Sequence, residues 1–160
     1  MVLGPRLRRV VERFAETVCP PGLASRGLLT PLVEEVELFL AAFPRPVRNT
    51  LVASFLAFDE GARLHPAGRG RRFVDLDADA ADRWFRAVAG GRSSALRNLL
   101  RLMRGVVAMS YYELPAVHAE LGYAPDSYIA EVAARRLRVH GAAIERAERD
   151  LLVDAPARGT

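Results

Sequence analysis

The stretch Leu96–Tyr123, LRNLLRLMRGVVAMSYYELPAVHAELGY, joins an amphipathic run, an aromatic pair, a proline and a glycine, and constrains the fold more than any other part of the chain. Leu96, Leu99, Leu100, Met103, Val106 and Val107 recur at three- and four-residue steps, while Arg97, Arg101 and Arg104 fall together on the other side. That period marks a helix with one face turned to a core and one to water. Tyr111 and Tyr112 close this helix. Pro115, with no amide hydrogen, fits only the first turn of a new helix, and Gly122 supplies the left-handed residue that a helix over 115–121 needs at its end. The expectation is a helical hairpin with tyrosines at its corner.

The same punctuation divides the rest. Leu7, Val10, Val11, Phe14 and Val18 give a helix over 6–18, stopped by Pro20-Pro21-Gly22. Thr30-Pro31 reads as a capping hydroxyl and a first helical residue, opening a second helix apolar nearly all round (Leu32, Val33, Val36, Leu38, Phe39, Leu40, Phe43) and hence expected to be central. Pro44 and Pro46 end it and admit a third helix over 47–64. His65–Arg72, HPAGRGRR, reads as a flexible surface loop. Asp75–Asp79 then opens a fourth helix, with Trp84, Phe85 and Val88 as its buried side and Gly90-Gly91 at its end, before Ser93 or Ser94 caps the arginine-faced helix.

Past Pro125-Asp126-Ser127, the segment 128–153 is free of proline, and Ala133, Leu137, His140, Ile144, Ala147 and Leu151 alternate four- and three-residue steps. Such a seam belongs to a helix lying along another helix. Its partner can be the chain's own bundle, a second copy, giving a homo-oligomer through the C-terminal helix, or another chain. Only 72–76 carries a trace of strand alternation. The fold class expected is all-α, a compact bundle of six to seven helices forming a single domain over 1–153, with 154–160 as a flexible tail.

Charge narrows the partners. A net +4 and a pI near 10.0 would ordinarily raise nucleic acid or an anionic surface. All 23 basic residues are arginine, however, scattered among 19 acidic ones, with the densest group, Arg69, Arg71 and Arg72, in a glycine-rich loop. No nucleic-acid partner is expected. Arg8-Arg9 is followed by Glu12, Arg13 and Glu16 where an export signal needs an apolar run, and no run approaches the roughly 20 apolar residues that cross a bilayer. With a lone cysteine, Cys19, these features lead to the expectation of a cytoplasmic protein with no membrane contact.

Candidates for chemistry are few. His118-Ala119-Glu120 has the H-x-E spacing of zinc deaminases, but no cysteine follows position 19 to complete that site. His65 and His140 have no companion at metal-binding spacing. Cys19 sits at a helix C-terminus, which raises a thiol pKa and works against nucleophilicity. Gly90-Gly91-Arg92-Ser93-Ser94 lacks the G-K-[ST] of a phosphate loop. The four tyrosines, Tyr111, Tyr112, Tyr123 and Tyr128, fall within eighteen residues. They fit either core packing or a binding face, because a tyrosine joins a large apolar body to a polar tip.

Tyr111-Tyr112, Pro115, Val117 and Glu120-Leu121-Gly122-Tyr123 together resemble the "YY, P-x-V, x-E-L-G-Y" signature of the gluconate 2-dehydrogenase subunit 3 family. Phe14–Gly22 is similar to that family's early "helix then PP(D)G", and Phe73–Leu76 with Trp84-Phe85 to its "F-x-x-L" lead-in. The resemblance covers Arg13–Tyr123; the segment 124–160 lies beyond it, and family members are often exported whereas no export signal is visible here. It implies a non-catalytic accessory small subunit that stabilises a larger FAD-dependent oxidoreductase of the glucose–methanol–choline (GMC) type, acting on a sugar or alcohol. On this reading the chain holds no cofactor, FAD belongs to the partner, and the interface comprises Tyr111, Tyr112, Pro115, Leu121, Tyr123 and Tyr128. The chain contains no G-x-G-x-x-G of its own to hold a dinucleotide. Two alternatives are a small α-helical enzyme or ligand-binding protein with a tyrosine-lined pocket, and a helical DNA-binding regulator using Arg97, Arg101 and Arg104.

Overall fold

The computed structural model describes residues 3–153, with side chains up to Arg149; the tail expected over 154–160, and the Leu151 side chain of the seam, lie outside what is described. Among the described residues there are seven α-helices and no strand: α1 Pro5–Val18, α2 Leu29–Ala42, α3 Arg45–Gly61, α4 Ala78–Ala89, α5 Ser94–Tyr112, α6 Pro115–Leu121 and α7 Pro125–Val153. The all-α architecture is as the periodicity requires. Residues 72–76, the one candidate strand, instead hold a short 3-10 turn, Phe73–Asp75. None of the described helices is long and apolar enough to cross a membrane.

The chain divides into two compact units after His118, where the sequence suggested one domain to residue 153. In the first unit α1 and α5 are the central elements, each packing against α2, α3 and α4 and against the other. Val10, Val11 and Phe14 of α1, Leu32, Val33, Val36 and Leu40 of α2, Phe55 of α3, and Met103 and Val107 of α5 are wholly or almost wholly buried. The second helix is therefore not the centre: one side of α2 is buried, but Leu38 is 64% exposed and Phe39 and Phe43 only border the core.

Local chemistry explains the boundaries. The Leu32 amide donates to the Leu28 carbonyl, so α2 starts before Thr30, and Pro31 occupies a later position in the first turn. Proline is tolerated there because those amides have no intrahelical acceptor. Asp77 caps α4 by accepting from the Ala80 amide at 2.8 Å, and Ser93 caps α5 through the Leu96 amide at 3.4 Å. Trp84, Phe85 and Val88 of α4 border the core, whereas Ala80 and Ala81 are its fully buried residues.

The segment 65–72 is ordered by its own backbone. Gly68 N donates to His65 O, Arg71 N to Gly68 O, and Ala67 N to His65 Nδ1. Gly68 is itself buried, and a Cβ there would stand 1.8 Å from the Ala62 carbonyl oxygen, so the turn is built around a position without a side chain. Arg69 and Gly70 take positive φ to reverse the chain.

The Asp77 cap has a pH signature. The Ala80 amide, with Arg71 and Arg83 nearby, holds this carboxyl below its ordinary 3.8. A folded-state pKa below the unfolded one contributes stability that is complete above the unfolded value and is lost as pH falls through the folded value. Asp77→Asn keeps a capping oxygen but cannot titrate. Its Tm should therefore fall less steeply than wild type between about pH 5 and about pH 2 in a thermal melt series, and parallel curves would refute the assignment.

Candidate functional site

The tyrosine corner is built by two apolar plugs. Leu114, in the turn after α5, and Val117 of α6 are 2% and 1% exposed, and the amides of both Val117 and His118 donate to the Leu114 carbonyl. They fix the chain reversal and leave Pro115 exposed at the first position of α6. Tyr111 points into the core at 5% exposure, and its ring meets that of Tyr112 edge-on at 5.4 Å. Tyr112 is 56% exposed, so in this pair Tyr111 supports and Tyr112 presents.

An exposed apolar stripe runs back along α5 from Tyr112. Met109 and Leu102 stand on the same face at helical spacing, both more than half exposed, with Gly105 between them. The stripe ends in a groove of about 300 Å³ lined by Phe43, Val47, Leu51, Leu99, Leu102 and Val106. Sequence reasoning missed Leu102 and Met109 because they stand outside the a/d-like register that identifies the core face. Their spacing with Tyr112 is the signal that could have found them. Leu96, expected in the core, is also half exposed and sits at the rim of a second groove.

Leu121, Tyr123 and Tyr128 belong to the second unit, and each is more than half exposed. Gly122 adopts φ +64 and its amide donates to the Ala119 carbonyl, the left-handed termination the sequence required. Along α7, Ile129, Leu137 and Val139 are also exposed by 60% or more, and from Asp126 to Arg149 the helix has no buried side chain.

The remaining candidates resolve into structural roles. His65 lies over Trp84 with ring centroids 5.3 Å apart, and the Trp84 indole donates to the Phe58 carbonyl. Burial pushes the Cys19 thiol up to about 11, so it is protonated at neutral pH. Arg97 donates to the Gly91 carbonyl and Arg101 to Asn98, so part of the arginine face is spent on closing α4 and on its own helix. Among the described residues, no group of three or more His, Cys, Asp and Glu side chains could hold a metal ion. The second groove, about 150 Å³, lies among α3, α4 and α5 and is lined by Phe58, Gly61, Trp84, Val88, Leu99 and Met103. Its one hydroxyl, Ser54, donates to the Thr50 carbonyl of its own helix.

The arrangement offers apolar contact area tipped with phenol groups. Comparison of the chain with protein-family models, with curated proteins and with solved structures finds no match in any of the three.

Proposed function

We propose that the chain is a non-catalytic accessory subunit that binds and stabilises a larger FAD-dependent oxidoreductase of the GMC type, with the flavin held by the partner. The observation that carries this reading is that the block resembling the gluconate 2-dehydrogenase subunit 3 signature presents Tyr112, Leu121 and Tyr123 to solvent, each more than half exposed. Large apolar side chains held at the surface gain free energy when a partner covers them, and tyrosines supply such area with little loss of side-chain entropy. Tyr128 and the Met109–Tyr112 stripe extend the same kind of surface within each unit.

Co-expression with the flavin dehydrogenase encoded nearest to this chain tests the reading. The intact chain should co-purify as a yellow complex. Tyr112→Ala combined with Tyr123→Ala should weaken that complex by roughly a hundredfold or more if both are anchors, while far-ultraviolet circular dichroism stays unchanged because neither residue is in the core. A chain that purifies alone and colourless, or a partner whose flavin content ignores it, would remove the proposal.

A further inference from the structure

We propose that a hollow between α4 and α5 binds a small organic phosphate, its phosphate head held by Arg97, Arg101 and Arg104 and its apolar body resting on Phe85 and Leu100. This does not rest on the accessory-subunit reading. The hollow holds about 170 Å³ and is lined by Phe85 and Ala89 of α4 and by Arg97, Leu100, Arg101 and Arg104 of α5, all residues of the first unit. Steps of three and four residues put the four α5 positions in one stripe, and Phe85 and Ala89 stand one turn apart on α4.

Charge argues for an anion. α5 carries these three arginines and no acidic residue, so the like charges at 97 and 101, and at 101 and 104, repel with nothing on the helix to offset them. Among the described residues of the first unit, no carboxylate pairs with any of the three. Asp82, one turn before Phe85 on α4, is already paired with Arg86. The bonds the arginines do make go to neutral acceptors, Arg97 to the Gly91 carbonyl and Arg101 to Asn98 Oδ1 at 3.3 Å. Such bonds orient a guanidinium without neutralising it, and they leave most of its five donors for a ligand.

The lining decides the kind of anion. A guanidinium fork matches two oxygens of a phosphate, and three positive charges suit the nearly double charge of a phosphate monoester better than the single charge of a carboxylate. The floor is apolar: Leu100 is 4% exposed, and Phe85 borders the core. Bare phosphate would leave that floor wet, whereas a ring or short alkyl group covers it. A volume of this size admits a single ring, as dry apolar cavities of about 150 Å³ take up benzene.

The experiment is isothermal titration calorimetry of the full chain with phenyl phosphate up to ~10 mM, in buffer free of phosphate and sulfate, beside thermal melts. Phenyl phosphate should bind and raise the Tm. Inorganic phosphate and phenol should each bind at least about tenfold more weakly, because each lacks one half of the recognition. Arg104→Gln should weaken phenyl phosphate binding by about tenfold. Ala89→Leu, which fills the hollow from an exposed position, should abolish it, and both variants should keep the wild-type circular dichroism spectrum. No binding at ~10 mM, binding indifferent to either variant, or inorganic phosphate as tight as phenyl phosphate overturns the proposal. A phosphotyrosine peptide or a single-stranded oligonucleotide that binds more than about tenfold tighter than phenyl phosphate also overturns it, assigning the arginines to a macromolecular partner.

Discussion

Phe14→Ala should lower the unfolding free energy of the protein by about 3–5 kcal/mol, the cost of truncating a fully buried phenylalanine that its surroundings cannot collapse upon. The ring is inaccessible to solvent and is the hub of an aromatic cluster. It meets Phe55 and Phe58 edge-on at 5.4 Å, Phe73 at 6.4 Å and Phe85 at 5.9 Å. Those partners come from α3, the 73–75 turn and α4, so a cavity at position 14 removes contacts from three segments at once. None of them can refill it without abandoning its other neighbours, as Phe58 would have to leave Phe73 and Trp84. In urea titration followed by circular dichroism the midpoint should fall with the slope unchanged. Leu38→Ala, at a side chain 64% exposed, serves as the control and should cost less than about 0.5 kcal/mol. A Phe14→Ala loss below about 1 kcal/mol would show that α1 is not the centre of the unit.

That centre was only partly legible in the chain. Helical period, the prolines and the capping side chains Asp77 and Ser93 place α1, α4, α5 and α6 within a residue or two, because each boundary is set by a local backbone hydrogen bond or by its absence. Which helix lies innermost is not local. Composition favours α2, the most apolar, yet α1 occupies the middle because its Val10, Val11, Phe14 and Ala15 are buried together while Leu38 of α2 stands 64% exposed. The 65–72 segment shows the same limit. Glycine, proline and arginine read as a mobile loop, and only the tertiary fold reveals that Gly68 fits against the Ala62 carbonyl, where any side chain would collide. At the tyrosine corner the residue types were legible but their division was not. Tyr111 and Tyr112 are adjacent and chemically identical, and the 100° helical step between them sends one into the core and one to water.

Asp59 was invisible in the sequence and carries the second large effect: Asp59→Ala should cost about 2–4 kcal/mol. Its side chain is wholly buried, a position a carboxylate holds only when its oxygens are engaged. Oδ1 accepts the Val74 amide at 3.2 Å, and Oδ2 lies 3.4 Å from the Arg6 guanidinium, which also pairs with Glu60. One carboxylate therefore ties α3 to the 73–75 turn and to α1. Alanine would leave the Val74 amide without its acceptor and Arg6 with Glu60 alone. Asp59→Asn retains an oxygen for Val74 while discarding the charge, so it separates the two contributions and should cost about 1–2 kcal/mol. The ion pair itself is half open to water on the arginine side, at 47% exposure, which argues that the amide bond is the larger share. A cycle of Asp59→Asn, Arg6→Gln and the double variant in urea measures that share directly. A coupling energy within about 0.5 kcal/mol of zero, with asparagine well above alanine in stability, places the role in anchoring Val74. Asparagine as damaging as alanine, with strong coupling to Arg6, would make the buried charge pair the dominant tie.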